Sequence, residues 1–212
     1  FEARAELLDV EMAKAFARIP CSIQIGLQSS NPAALALINR PSDLKQFKRK
    51  IGLLNDAGVV FGLDLMYGLP GDNLQGFRSS VDFALALYPN NLEIFRLAVL
   101  PGTVLADRAD ELGLRRQKTT PYHIESAPGF PETDIAKADR LAEACDVFYT
   151  QGRAVSWFLS ALHPLKIPGS RFLEDFARFI SSPAARGRYG IPAVPDSGAE
   201  IPHRDIERLQ LE

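Results

Sequence analysis

A single carboxylate interrupts an apolar stretch of the chain just before a turn. Asp64 lies within residues 59–69, which are otherwise apolar or glycine. Pro70 and Gly71, residues that are typical of turns, follow directly. A buried, unpaired charge is costly and normally finds a strong partner or shifts its pKa. Acids at the ends of buried strands are common where α/β proteins hold ligands. Asp64 is therefore a candidate binding residue, with the capping of a neighbouring turn as the structural alternative.

Two further polar side chains upstream are candidates of the same kind. Gln28 follows an alternating strand pattern, and Arg40 follows a short helical segment. Each also has a structural interpretation, Gln28 as the end of a strand and Arg40 as a solvated residue at a helix end. The three histidines have no carboxylate or histidine partner at metal-ligand spacing. The chain contains no Ser/His/Asp arrangement, phosphate-binding Walker loop or GxGxxG motif.

Composition narrows the class of protein. The chain has 212 residues, 46% of them hydrophobic, and a formal net charge of -2, which argues against broad attraction to nucleic acid or anionic membranes. The basic clusters at 45–50 and 115–118 are interpreted as solvated helix faces or ends, with a phosphate-binding patch as the alternative. No run approaches a membrane span. The two cysteines, Cys21 and Cys145, are expected to be buried and reduced, which suits a cytoplasmic protein.

The order of predicted elements favours a parallel sheet. Strands are predicted near 21–28, 59–66 and 91–99. Between them, a short helix is predicted to start at 31–32, and longer helices are predicted near 43–57 and 74–87. Asn31 and Pro32 predict one helix start, and the spacing of Asp72 and Gln75 predicts another. Strands separated by helices indicate right-handed βαβ units. We expect the three strands to lie side by side in sequence order, with helices on one face.

Three strands alone leave the sheet incomplete. The apolar side of strand 21–28 suits a barrel wall covered by helices, and its polar side suits a functional lumen. The predicted fold class is α/β: the second half of a parallel, partial TIM-type barrel, followed by a mainly helical C-terminal region. Three parallel strands would leave an exposed edge and a half-open interior, so the missing strands are expected upstream of Phe1. The predicted domains are residues 1–115 and 116–212.

The second half of the chain is less informative. A helix, broken near Gly152, is predicted over 134–162, and another over 172–180. Loops are predicted at 119–122 and 127–131, and the last 25 or so residues are expected to lie extended on the surface. Four aromatic residues are interpreted as core from their spacing: Phe77, Phe83, Tyr88 and Phe95.

Three separated segments, residues 25–31, 39–40 and 63–71, closely resemble radical S-adenosylmethionine (SAM) enzymes in order and spacing. The nearest groups are the cobalamin-binding-domain radical SAM proteins and the oxygen-independent coproporphyrinogen III oxidases. The resemblance covers residues 1–115 and implies SAM-binding roles for six residues: Glu2, Gln28, Arg40, Asp64, Met66 and Ala98. It implies that Arg40 pairs with the methionine carboxylate and that Gln28 and Asp64 bond the ribose hydroxyls. Glu2 would contact the methionyl or ribose part, and Met66 and Ala98 would flank the adenine.

One feature of that family is absent from this sequence. The CxxxCxxC loop that holds a [4Fe–4S] cluster is missing, and Cys21 and Cys145 cannot replace it. The resemblance places this loop after the first barrel strand, so its ligands are expected upstream of Phe1. A weak similarity of residues 146–153 to cobalamin-associated tails leaves cobalamin open as a further cofactor.

Two functional hypotheses follow from the resemblance. In the first, the full-length protein is a radical SAM enzyme that cleaves SAM to a 5′-deoxyadenosyl radical and acts on an unknown substrate, with an electron donor such as flavodoxin or ferredoxin. The runner-up within enzymes is a coproporphyrinogen oxidase-like protein. In the second, the chain is a non-catalytic α/β module that keeps the turns only for folding. Both versions expect a cytoplasmic protein without nucleic-acid or membrane partners.

Overall fold

The computed structural model describes residues 1–189 and 203–211. The sheet region comprises β1 (Glu2–Ala3), α1 (Val10–Phe16), β2 (Ser22–Gln28), α2 (Pro32–Leu37), α3 (Leu44–Asp56), β3 (Val60–Tyr67), α4 (Leu74–Leu85) and β4 (Asn91–Arg96). A connecting region follows, with α5 (Val104–Asp107), β5 (Arg115–Arg116) and β6 (Ile124–Ser126). The helical region comprises α6 (Glu132–Cys145), a π-helical turn (Asp146–Gln151), α7 (Phe158–Leu162), α8 (Gly169–Ile180), α9 (Pro183–Tyr189) and α10 (His203–Leu211).

The four strands of the main sheet are parallel and lie in the order β1-β2-β3-β4. In β2, Ile23, Ile25 and Leu27 are buried, while the alternate residues occupy the opposite face, as expected from the two-residue period of a strand. The predicted order of the three longer strands and the α/β fold class are confirmed. β1 is a short fourth strand, and it contains Glu2.

Helix starts follow the sequence with one correction. The Asn31 side chain accepts hydrogen bonds from the backbone N–H groups of Ala33 and Ala34, so it caps α2 as predicted. α4 begins at Leu74 as predicted, but its cap is Asn73 rather than Asp72, and the Asn73 side chain accepts from Gly76 N. Asp72 turns inward instead, because Ser29 and Asn31 of the neighbouring loop offer it donors there.

The helix predicted over 134–162, with a break near Gly152, consists of several pieces. α6 widens into the π-helical turn, which ends at Gly152, the predicted break, and short 3-10 and α turns follow. Within that turn, Phe148 packs against the rings of Trp157, Phe158, Phe172 and Phe176. The helical region is therefore held together by an aromatic cluster (Phe148, Trp157, Phe158, Phe172, Phe176).

The π-helical turn also covers the outer edge of β4. The Thr150 hydroxyl accepts from Leu92 N at 3.1 Å and donates to Leu92 O at 3.2 Å. Tyr149 donates its hydroxyl proton to Pro89 O at 2.7 Å. These bonds satisfy backbone groups at a strand edge that would otherwise be open to pairing.

Three other expectations are corrected. Tyr88 and Phe95 were interpreted as core, but they are 51% and 48% exposed, since one lies after α4 with positive φ and the other lies on the polar side of β4. The connecting region contains an antiparallel pair, β5 with β6, which was not predicted. In the tail, His203–Leu211 is helical rather than extended, while residues 190–202 lie outside the described part of the chain.

Buried residues of the sheet and of the helical region belong to one hydrophobic cluster. The domain boundary near residue 115 therefore stays a prediction. Among the described residues, no helix is both long and apolar enough to cross a membrane.

Candidate functional site

One face of the sheet is polar, and we call it the polar face. It contains Glu2, Gln24, Gly26, Gln28, Gly62, Asp64, Met66, Asn91, Glu93 and Phe95. The opposite face is buried beneath the helices. This division arises from the alternation in β2 and β3, which places every second side chain on the polar face.

Gln28 and Arg40 meet at a cavity beside the end of β2. The cavity has a volume of about 140 Å³, and both side chains line it together with Gly26, Arg4 and Phe47. A Cβ at the position of Gly26 would lie 2.5 Å from Gln28 Nε2 and 3.4 Å from Arg40 Nη1, so a side chain here would displace the Gln28 amide. The absence of a side chain thus allows an amide and a guanidinium to converge.

Gln28 has an unusual backbone conformation for a residue that is not glycine. Its φ is 66°, and the register between β2 and β3 shifts between Gly26 and Gln28. Left-handed conformations at such residues cost free energy and are concentrated at functional sites. The bulge breaks the alternation of β2 and aims the Gln28 side chain back across Gly26.

Asp64 lies beside Gly26 in the β2–β3 register and is only partly exposed. Gln24 Nε2 donates to Asp64 Oδ1 at 2.5 Å. Burial raises the pKa of the Asp64 carboxyl, the Gln24 hydrogen bond opposes this, Glu2 adds to the rise, and Arg40 opposes it. The influence of Glu2 and Arg40 indicates that the side chains of three predicted site residues share one electrostatic environment.

The remaining candidates are less closely gathered. Glu2 is exposed and lies opposite Gln24 in the β1–β2 register. Met66 is on the polar face, opposite Phe95. Ala98 lies beyond the end of β4, where it forms a β-bridge with His123. The structure thus brings Gln28, Arg40 and Asp64 together, with Glu2 and Met66 on the same face and Ala98 farther along the chain.

Sequence reasoning missed several polar residues near this site. Gln24, Asn91 and Glu93 form hydrogen bonds across the polar face. Burial and the Asp64 carboxylate raise the pKa of Glu93, and its hydrogen bond from Asn91 opposes this. Polar residues on the same side of predicted strands were the only sequence signal for them.

Asp72 fixes the turn that follows β3. It is 2% exposed and accepts from Asn31 Nδ2 at 3.0 Å, from Asn73 N at 2.9 Å and from Ser29 Oγ at 3.3 Å. Gly76 packs so closely that a Cβ would lie 2.0 Å from Asp72 Oδ1. Asp72 therefore has a structural role, tying the turn after β3 to the loop after β2 beside Gln28.

A second charged cluster fastens α6 to the strands. The Tyr67 hydroxyl donates to Asp139, and Arg96 lies 3.7 Å from the same carboxylate and donates from Nε to Ile124 O at 2.7 Å. Burial and the Asp139 carboxylate raise the pKa of Tyr67. These groups face α6 and satisfy one another, so they support the site without lining it.

The parallel sheet and the helices that cover one of its faces define an α/β class of protein. Residues 1–84 match the sequence model of the radical SAM superfamily. This match covers 84 of the 212 residues, and it agrees with the sequence resemblance.

Curated relatives match the same part of the chain. The heme chaperone HemW of Haemophilus influenzae is 31% identical over 91 residues, which are 42% of this chain and 24% of that protein. The oxygen-independent coproporphyrinogen III oxidase of Paracoccus denitrificans is 30% identical over 78 residues, 36% of this chain and 17% of that protein. The chain thus spans about a quarter or less of the length of these relatives.

Similar solved structures include two radical SAM proteins. Coproporphyrinogen III oxidase (HemN) from Escherichia coli has a TM-score of 0.44 at 17% identity, covering 66% of this chain and 37% of that one. The methyltransferase TsrM from Kitasatospora setae has a TM-score of 0.48 at 18% identity, covering 57% of this chain and 25% of that one. The fold class of the present chain rests on its own strand order and register.

Proposed function

We propose that this chain is the SAM-binding part of a longer radical SAM iron–sulfur enzyme. The observation that carries the proposal is the convergence of Gln28 and Arg40 at one cavity, with Asp64 alongside in register. A guanidinium suits a carboxylate, and a carboxylate or amide oxygen suits a vicinal diol. SAM contains both groups in one molecule.

The residues present fit SAM in chemistry. The open space over Gly26 leaves the Gln28 and Arg40 side chains side by side, so Arg40 would pair with the methionine carboxylate and Gln28 would bond the ribose. Asp64 would accept from the ribose hydroxyls, with Glu2 nearby. Met66 and Ala98 would flank the adenine. Together these side chains would fix the orientation of the cofactor on the polar face.

The residues present do not fit the [4Fe–4S] cluster. Only two cysteines occur in the sequence, and Cys145 is buried with a raised pKa because of its burial. In the proposal the cluster ligands belong to another part of the protein, and SAM supplies a 5′-deoxyadenosyl radical when it is reduced. This chain would bind and orient SAM, and no electron-transfer step is assigned to its residues.

The substrate, the electron donor, a further cofactor and the location of the intact protein are also proposed. The substrate is proposed to be a small molecule, and an electron donor such as flavodoxin or ferredoxin is proposed from the family alone. Cobalamin is proposed only from the sequence similarity of residues 146–153. A cytoplasmic location is supported by the free thiols of Cys21 and Cys145.

The curated relatives keep a second candidate function open. They include heme chaperones and coproporphyrinogen III oxidases at nearly the same identity, so the matched segment does not separate radical chemistry from heme handling. A porphyrin-directed role, whether oxidase-like or chaperone-like, is therefore the alternative. A non-catalytic module that keeps the turns only for folding is a further alternative.

The intact protein containing this chain, reconstituted anaerobically with iron and sulfide, is expected to convert SAM to 5′-deoxyadenosine when a reductant is added. The measurement is chromatography of the products, with a sample lacking reductant as the control. Heme binding without SAM cleavage would favour the chaperone alternative. The absence of both SAM binding and SAM cleavage would reject the proposed function.

The chain alone is expected to behave differently. Purified as residues 1–212 and reconstituted in the same way, it should contain no stoichiometric iron or acid-labile sulfide, because two cysteines cannot provide the thiolate ligands of a [4Fe–4S] cluster. Iron and sulfide assays measure this. Four iron atoms per chain would contradict the assignment of the cluster ligands to another part of the protein.

A further inference from the structure

A chain of hydrogen bonds crosses the polar face from Asp64 to Glu93. Gln24 Nε2 donates to Asp64 Oδ1 at 2.5 Å. Asn91 Nδ2 donates to Gln24 Oε1 at 3.2 Å and to Glu93 Oε1 at 3.2 Å. Four side chains on three strands are thereby linked, although Gln24 and Asn91 are 67 positions apart in sequence.

The two carboxylates at the ends determine how the amides between them are turned. An ionised carboxylate only accepts hydrogen bonds, so each must face an amide NH₂ group. Asn91 uses its NH₂ group for Glu93 and Gln24, and Gln24 then presents its carbonyl to Asn91 and its NH₂ to Asp64. Reversing either amide would place two acceptors against each other.

The missing side chain of Gly62 makes this bridge possible. Gly62 lies between Gln24 and Asn91 in the strand register. A Cβ at its position would lie 2.2 Å from Gln24 Oε1 and 2.5 Å from Asn91 Nδ2. The two amides therefore meet directly above the Gly62 backbone.

The surroundings of Asp64 explain why it needs such a donor. The charged groups that face it are Glu2 from β1, Glu93 from β4 and Arg40 from the loop after α2. Two of these three are acidic, and burial also disfavours the carboxylate. Gln24 supplies the direct hydrogen bond that offsets them.

We infer that Gln24 is a positioning residue, held in one orientation by Asn91, that aims the Asp64 carboxylate as a hydrogen-bond acceptor. This inference deepens the proposed function, because it rests on Asp64 as the ribose contact. It assigns Gln24 no contact with SAM. Its effect on the cofactor passes entirely through the Asp64 carboxylate.

The first test does not use SAM. The pKa of Asp64 in the folded protein is raised, so its ionisation removes stability as the pH rises through that pKa. Gln24→Leu should raise that pKa further. In the intact protein, the melting temperature of Gln24→Leu should therefore lie below that of the wild type. This difference in melting temperature should be roughly 2–4 °C larger at about pH 8 than at about pH 5. The double variant with Asp64→Asn should lose this pH dependence.

The second test uses SAM. Close to the raised pKa of Asp64, Gln24→Leu should bind SAM about tenfold more weakly than the wild type in the reconstituted protein. The difference should shrink as the pH rises above that pKa, because Asp64 is then ionised in both proteins. Asn91→Ala should change the affinity in the same direction by less, because it only frees the Gln24 amide. Gln46→Leu, the same substitution on the exposed face of α3, should leave the affinity unchanged.

The possible results separate the two proposals. A melting difference that is the same at every pH, or that survives Asp64→Asn, would overturn the positioning role of Gln24. A pH-dependent difference in a protein that fails to bind SAM would support the positioning role and reject the proposed function. If Gln24→Leu does not fold, the Asn91→Ala comparison provides the same pH test.

Discussion

Replacing Asp64 by asparagine is expected to weaken SAM binding by roughly tenfold to a hundredfold, corresponding to about 1.5–3 kcal/mol. Asparagine keeps the shape of the side chain, but it replaces one acceptor oxygen with a donor and removes the charge. A vicinal diol needs two acceptors from this group. Titration of SAM into the reconstituted wild-type and variant proteins measures the effect.

The stability of the same variant should not fall with its affinity. Burial raises the pKa of the Asp64 carboxyl, so its ionisation costs stability in the folded protein, and asparagine removes that cost. We expect the melting temperature of Asp64→Asn to equal or exceed that of the wild type. Asp56→Asn, at the exposed end of α3, is the matched control and should leave SAM affinity unchanged.

These two measurements distinguish a binding role from a structural one. If Asp64 only supports the fold, Asp64→Asn should lower the melting temperature and leave the affinity of the surviving folded protein as it was. That pattern would remove Asp64 from the proposed SAM site. Cluster assembly should be normal in either case, because its ligands lie elsewhere in the proposal.

Replacing Phe148 by alanine is expected to be the most destabilising change in the helical region, at about 3–5 kcal/mol. The side chain is 2% exposed, and its ring centroid lies 4.9 Å from those of both Phe172 and Phe176. Its removal leaves a cavity that α6, α7 and α8 surround. The melting temperature of the intact protein should fall by at least about 6 °C.

Phe179→Ala provides the control for this prediction. Phe179 lies on α8, as Phe172 and Phe176 do, but it is 39% exposed, and its ring centroid is 6.4 Å from that of Phe176. Its loss should cost less than about 1 kcal/mol. Equal melting temperatures for the two variants would show that the aromatic cluster does not hold the helical region together. If only Phe148→Ala lowers the melting temperature, we also expect it to weaken the hydrogen bond between Thr150 and Leu92 at the edge of β4.

Two kinds of curated relatives match the same segment of this chain. The matched segment is common to heme chaperones and to oxidases, so a SAM site alone does not separate them. SAM binding that depends on Asp64 but yields no 5′-deoxyadenosine would retain the site and reject the radical reaction. The two parts of the proposed function are thus tested one at a time.

The sequence by itself determined the features that depend on neighbouring residues. The alternation of Ile23, Ile25 and Leu27 predicted both β2 and its buried face, because side chains of a strand point to opposite sides in turn. Asn31 before Pro32 predicted the start of α2 for an equally local reason. The order of strands and helices then indicated a parallel sheet. The three motif segments indicated the superfamily.

Local patterns misled where the fold bends the chain or pairs it with a distant segment. Phe95 has the spacing of a core residue, but the register of β4 turns it to the polar face. Asp72 has the spacing of a helix cap, but Ser29 and Asn31 draw it inward. The pair β5–β6 consists of two very short strands and has no periodicity to detect.

Only the tertiary structure decided which polar side chains meet. Gln24, Gly62 and Asn91 belong to three strands, and the amide bridge between Gln24 and Asn91 exists because the register places them on either side of a residue without a Cβ. The left-handed conformation of Gln28 depends likewise on the bulge opposite β3. Register and bulges arise from pairing between distant segments, so the sequence predicted the residues of the site, and the packing of the strands decided their geometry.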